Sequence, residues 1–142
     1  MAGSVRVVSK RRGGVQAAPG EWIIDGDRKN PVLGNRHVLL NHCDADERER
    51  VIHDHLVLDL EPDIVSGGPI YRELQRVAEQ VKSGRRVAFA CWCAPMPCHC
   101  DRYVDVVEML VDGRDVQAIY RAQINDRQMV PHPAEDQLDF GF

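Results

Sequence analysis

After two charged residues, Arg85-Arg86, the chain runs Val87-Ala88-Phe89-Ala90-Cys91-Trp92-Cys93 with no charge at all. The run is too short for a buried helix and fits a strand covered on both faces, as in a parallel sheet. A strand of this kind needs partners on its edges and packing above and below. Its flanks supply candidates. Ile70, Leu74, Val77 and Val81 recur at helical spacing after Pro69, and Gly84 is placed to stop that helix. Pro95 and Pro97 break the strand. A further helix is expected from about Cys98 to Asp112, with Val104, Val107, Leu110 and Val111 inward and Gly113 at its end.

The remaining elements are read the same way. Val5-Arg6-Val7-Val8 and Glu21-Trp22-Ile23-Ile24 are short strand candidates, separated by a Gly- and Pro-containing loop over 9–20. Asp25-Gly26-Asp27 is a turn signal. Asp44 or Asp46 offers an N-cap to a helix over Glu47–Leu60, with Val51, Ile52, His55, Leu56 and Leu58 on its inner face and Pro62 as its terminator. Asp115–Tyr120 is a candidate last strand. The expected fold is α/β: one Rossmann-like domain over 1–120, with a small, largely parallel sheet flanked by helices. Residues 121–142 are expected to form a C-terminal arm or tail.

The strand ends in a dense group of thiols: Cys91, Cys93, Cys98 and Cys100 lie within ten residues, with His99 among them. Ligands of parallel sheets bind beyond the carboxyl ends of the strands, where this group falls. On a continuous strand Cys91 and Cys93 point to one side. Cys98, His99 and Cys100 fall at a helix start, where free N–H groups attract anions and lower a thiol pKa. Three readings follow. The cysteines pack as small hydrophobes. Cys91, Cys93, Cys98 and Cys100, or His99 in place of Cys100, hold zinc and make the chain a metal-stabilised, non-enzymatic adaptor, with His42 or Cys43 able to complete the set. Or Cys98 and His99 form a reactive pair in a ligand pocket.

Net charge is −4 over 142 residues, which argues against a basic nucleic-acid-coating surface. Lys10, Arg11, Arg12, Arg85 and Arg86 remain as candidates for local nucleic-acid contact. No apolar run is long enough to span a membrane, and the first residues have no apolar signal core, so a cytoplasmic setting is expected. There, thiols stay reduced.

The segment Ala90–Asp101 resembles the signature of a family of small bacterial and phage proteins, the domain of unknown function 4326. That signature reads C-x-C-x-P-x-x-C-H-small-D. Val7-Val8-Ser9-Lys10-Arg11-Arg12-Gly13-Gly14 is similar to the family's opening. Trp22-Ile23-Ile24-Asp25, Lys29-Asn30-Pro31 and Arg48 resemble its second strand, its Gly-Asn-Pro loop and the arginine that opens its first helix. Gly26 stands where the family has arginine, with Arg28 a substitute, and Cys100 stands at a small-residue position. The resemblance implies a Rossmann-like fold that senses or processes nucleotide-derived ligands, and it implies no particular activity. The resulting expectation is a nucleotide-like or phosphorylated ligand bound by Arg28, Asn30, Arg48, Cys91 and Cys93. Cys98 and His99 would be the reactive groups, and Asp101 would cap the helix or orient His99.

Overall fold

A computed structural model describes residues 3–11, 14–37, 39–40, 44–93 and 96–129. Arg12, Gly13, His42, Cys43, Pro95 and the tail from residue 130, all singled out above, lie outside the described residues. Three strands form one parallel sheet: β1 (Ser4–Ser9), β2 (Trp22–Asp25) and β3 (Arg86–Cys91). β3 is central, in the order β1-β3-β2. Val5 pairs with Val87 and Ser9 with Cys91, while Trp22 pairs with Val87 and Asp25 with Ala90. The carboxyl ends of all three strands therefore meet at Ser9, Asp25 and Cys91.

The apolar run makes β3 a buried strand, as expected: Val87 to Cys91 are all buried. Its two faces are covered differently. Val87, Phe89 and Cys91 join the main core with Tyr71, Leu74, Val77, Tyr103, Val106 and Val107 from the helices. Ala88 and Ala90, on the other face, pack in a small cluster with Val8, Ile23 and Val15, a residue of the β1–β2 connection. Alanines suit that face because a loop, not a helix, lies over it.

The helices are α1 (Ala45–Asp54), α2 (Glu61–Ser66), α3 (Pro69–Lys82), α4 (Cys100–Val111) and α5 (Val116–Met129). α3 packs against β3 and α4, and α4 also packs against β1. None is long and apolar enough to cross a membrane among the described residues. α3 has the inward face that its spacing predicts, with Ile70, Leu74, Val77 and Val81 all buried. Its N-terminus is capped from outside its own sequence: the Asp63 carboxylate accepts from Ile70 N at 3.1 Å and Tyr71 N at 2.7 Å. Gly68 makes that possible, since a Cβ there would stand 2.5 Å from Asp63 Oδ2.

Three expectations are corrected. Pro62 does not end the helix that Asp44 caps. Between α1 and α2 the chain widens into a π-helix over His55–Leu60. Pro62, which lacks an N–H, then sits in the first turn of α2, where none is needed. Leu58, expected inside, is exposed, because the wider turns rotate it off the inner face. Asp115–Tyr120 is not a strand. The Asp115 carboxylate caps α5 by accepting from Ala118 N at 3.1 Å, and the buried residues are Val116 and Tyr120, one helical turn apart. α5 then continues through residue 121 to Met129.

Candidate functional site

The carboxyl edge of the sheet is organised by the residues just beyond each strand. After β1, the Lys10 ammonium pairs with Asp25 at 2.5 Å and Asp27 at 2.6 Å. After β2, Asn30 closes the loop on itself. Its Nδ2 donates to Asp25 O at 2.9 Å and its Oδ1 accepts from the Val32 and Leu33 amides at 3.0 Å. After β3, the chain bends at Trp92 and Cys93 and returns to the Cys98–Cys100 turn. The Trp92 indole stays 54% exposed and donates to Asp27 Oδ2 at 3.2 Å.

A cavity of about 440 Å³ opens at this edge. Its floor includes Cys91, Cys93, Cys98 and His99, and its walls include Trp92, Asp27, Arg28, Lys29 and Arg48. The volume lies within the range of small-molecule sites. Arg28 and Lys29 are exposed and Arg48 is buried. Against these cations stands one lining carboxylate among the described residues, Asp27, already paired with Lys10. Burial pushes the Asp27 carboxyl up, but the hydrogen bonds from Lys10 and the Lys29 amide outweigh it and hold it below the usual range.

His99 sits at the centre of a buried polar chain. Its Nε2 lies 3.0 Å from Leu33 O, which also accepts from the Tyr103 hydroxyl at 2.7 Å. Since a carbonyl only accepts, Nε2 carries the proton and Nδ1 the lone pair. That lone pair faces Cys98 Sγ at 3.5 Å. Having donated to Leu33, the Tyr103 oxygen accepts from His55 Nε2 at 3.0 Å. The His55 and His99 rings are 4.9 Å apart. Burial pushes the His99 pKa down, and it pushes His55 down to about 3. Both imidazoles are therefore neutral at pH 7. His55, Leu33 and Tyr103 are additions to the residues expected here. The sequence puts His55 on an inner helix face, but its partners Tyr103 and His99 are 48 and 44 residues away, and no local signal connects them.

The thiols converge. The sulfurs of Cys91, Cys98 and Cys100 all lie within 4.8 Å of one another, and all three residues are buried. They are placed closely enough to hold a metal ion. Cys93 is half-buried because the strand stops at Cys91, yet its thiol still reaches Cys98. The Cys98 thiol is pushed up by contact with Cys100, Cys91 and Cys93 and by burial, and Cys100 is pushed up by contact with Cys91 and by burial. The Cys100 amide donates to Cys98 Sγ at 3.4 Å.

Room for this group comes from Gly26, which hydrogen-bonds to Ala90 O at 2.8 Å. A Cβ there would stand 2.3 Å from Cys100 Sγ. Gly26→Ala is expected to lower unfolding stability by about 1–3 kcal/mol through overpacking. A urea melt of Gly26→Ala alone and combined with Cys100→Ala checks this, because the second change should recover most of the loss.

Of the expected site residues, Arg28, Arg48, Cys91, Cys93, Cys98 and His99 line one cavity. Asn30 and Asp101 do not. Asp101 takes the capping alternative, accepting from Cys98 N at 3.0 Å. Asn30 acts at one remove: it fixes Leu33, whose carbonyl fixes His99. The described basic residues considered for nucleic acid are not gathered. Lys10 and Arg11 are at the carboxyl end, where Arg11 reaches Trp92 O. Arg85 and Arg86 are at the other end of β3, where Arg85 lies 4.8 Å from the Trp22 ring centroid and Arg86 reaches Pro19 O. Six strand residues separate the two groups, about 20 Å.

The family model described as Domain of unknown function (DUF4326) matches residues 7–109. No curated protein matches, and no solved structure matches.

Proposed function

The chain belongs to the domain of unknown function 4326 family, and from that premise we propose that it binds a small anionic, nucleotide-like ligand over the carboxyl ends of its sheet. The observation that carries this is the cavity itself, which combines an exposed indole with Arg28, Lys29 and Arg48 above a floor of thiols and an imidazole. Trp92 offers a flat apolar face on which a base or similar ring stacks. The three cations suit phosphate oxygens, and Arg48, being buried, meets them in a poorly solvated place where charge counts for more. Asn30 is a positioning residue in this reading, through Leu33. Cys98 and His99 face the ligand from below. His99 Nδ1, 3.5 Å from Cys98 Sγ, is the nitrogen that would take the proton when that thiol is deprotonated. A reducing, cytoplasmic setting in a bacterial or phage-infected cell would keep these thiols free.

The test uses indole fluorescence. In a Trp22→Phe background, Trp92 reports alone. Nucleoside mono- and diphosphates and inorganic phosphate are titrated in turn. A saturable change with at least one nucleotide is expected. Trp92→Ala, followed by calorimetry, should weaken that binding about tenfold or more, the worth of one stacked base. Thermal stability should barely move, since the ring is half out of the fold. No saturable binding by any of these probes at millimolar concentration sinks the reading.

A further inference from the structure

We propose that Cys91, Cys98 and Cys100, with Cys93 as the fourth donor, bind a tetrahedral thiophilic metal ion of the zinc class at the floor of the cavity. The three buried sulfurs already lie within 4.8 Å of one another. Zinc–sulfur bonds of about 2.3 Å place tetrahedral thiolates about 3.8 Å apart, so small side-chain rotations bring these three to that spacing. Cys93 lies outside the 4.8 Å group but contacts Cys98, and it has farther to move. The donors come from three places: the end of β3, the bend after it, and the turn that opens α4. This lets so short a run surround one ion. The strand end and helix start face each other across the bend.

Two further features fit a metal better than plain packing. The Cys100 amide points at Cys98 Sγ at 3.4 Å, at the N-terminus of a twelve-residue helix. Such N–H groups stabilise sulfur that carries negative charge. The backbone beside the cluster is also cleared to a glycine, Gly26, where any side chain would strike Cys100. Simple core filling needs neither; alanine or valine would pack as well as several thiols. Cys93 and Cys98 line the cavity, so the ion has a route in. All-sulfur donors select zinc and its soft relatives over magnesium or calcium. Each thiol that becomes a ligand exchanges its proton for a bond to the ion, and that proton leaves to solvent.

The experiment starts with the full chain purified under reducing conditions without added metal. Elemental analysis should find near one equivalent of zinc. After removal by chelator, cobalt(II) should restore tetrahedral ligand-field bands with thiolate charge transfer. Cys98→Ser and Cys100→Ser should each weaken cobalt binding by more than the ~10–100-fold that loss of a supporting contact costs. Should either variant fold poorly, thiol labelling of the unmutated chain decides: the four cysteines should be protected with metal and reactive after chelation. A folded chain that holds no metal and gives no cobalt bands overturns the proposal. So do an iron–sulfur chromophore, a disulfide among these cysteines, or a cobalt spectrum indifferent to Cys98→Ser. The ligand reading fails separately, because Trp92→Ala should weaken nucleotide binding and leave the cobalt spectrum intact.

Discussion

Arg127→Ala is expected to lower unfolding stability by about 2–3 kcal/mol and to loosen α5. The reason is Glu61, which is 1% exposed at the junction between the π-helix and α2. Arg127 grips it with both ends of its fork, Nη1 to Oε1 at 2.6 Å and Nη2 to Oε2 at 2.5 Å. Removing the arginine leaves a buried carboxylate without its counter-charge, which costs more than the pair itself contributes. The arginine side chain is 42% exposed, so water partly replaces it, and the expectation sits below the ~3–5 kcal/mol of a fully buried pair. Arg127→Lys should recover part of the loss, since a point charge returns without the bidentate fit. Adding Glu61→Gln to Arg127→Ala should recover more, since the stranded charge is gone. Denaturant melts of the four proteins check the order, and hydrogen exchange should show α5 amides losing protection first. An Arg127→Ala chain as stable as its parent would mean that α5 is held without the ion pair, by Val116, Tyr120 and the Gln117 contact to Ile64 O.

That ion pair also shows where the sequence stops being legible. The central strand, the α3 face and the position of the thiols at the sheet's carboxyl edge follow from short-range pattern, and the structure agrees with each. α5 is a case of two periods competing. Val116, Ala118 and Tyr120 alternate like a strand, while Val116 and Tyr120 fall one helical turn apart, and the Asp115 cap decides between them. The cap is visible in the sequence, but Arg127's partner is not, being 66 residues away. Pro62 misleads for a related reason. A proline stops an α-helix only if its missing N–H is needed, and the π-turns before it remove the need. At the site, the residues adjacent in sequence are legible and those that hold them are not. Leu33 O reaches His99 from 66 residues away and Tyr103 from 70. Asn30 is expected for its resemblance to a ligand-binding loop. In the structure its side chain forms the turn that aims that carbonyl.

Acid is expected to destabilise the fold well before its carboxylates titrate, and His55→Gln should remove part of that sensitivity. His55 is held at about 3, chiefly by burial and next by the neighbouring His99. Of the smaller influences, Asp59 pushes it up, and His37 and Arg36 push it down. In the unfolded chain it titrates near its ordinary value of 6.5. Between these values the unfolded chain binds a proton that the folded chain refuses. Stability therefore rises with pH in that window and is lost as pH falls below 6.5, by up to about 1.4 kcal/mol per pH unit from this one group. By pH 5 the loss is about 2 kcal/mol. Below the folded value the two states are equally protonated at this site and the slope ends. Burial pushes His99 the same way, so the whole-chain slope should exceed that of one group. In His55→Gln the side-chain amide would keep a donor for the Tyr103 oxygen and has nothing to titrate. The difference between the parent and His55→Gln stability curves, measured by denaturant melts from pH 7.5 to 4.5, should thus be flat above about 7 and shift steadily in favour of the variant below 6.5. Parallel curves would show that His55 takes up its proton in the folded state, which requires an acceptor for its Nδ1–H. That nitrogen has no hydrogen-bond partner among the described residues.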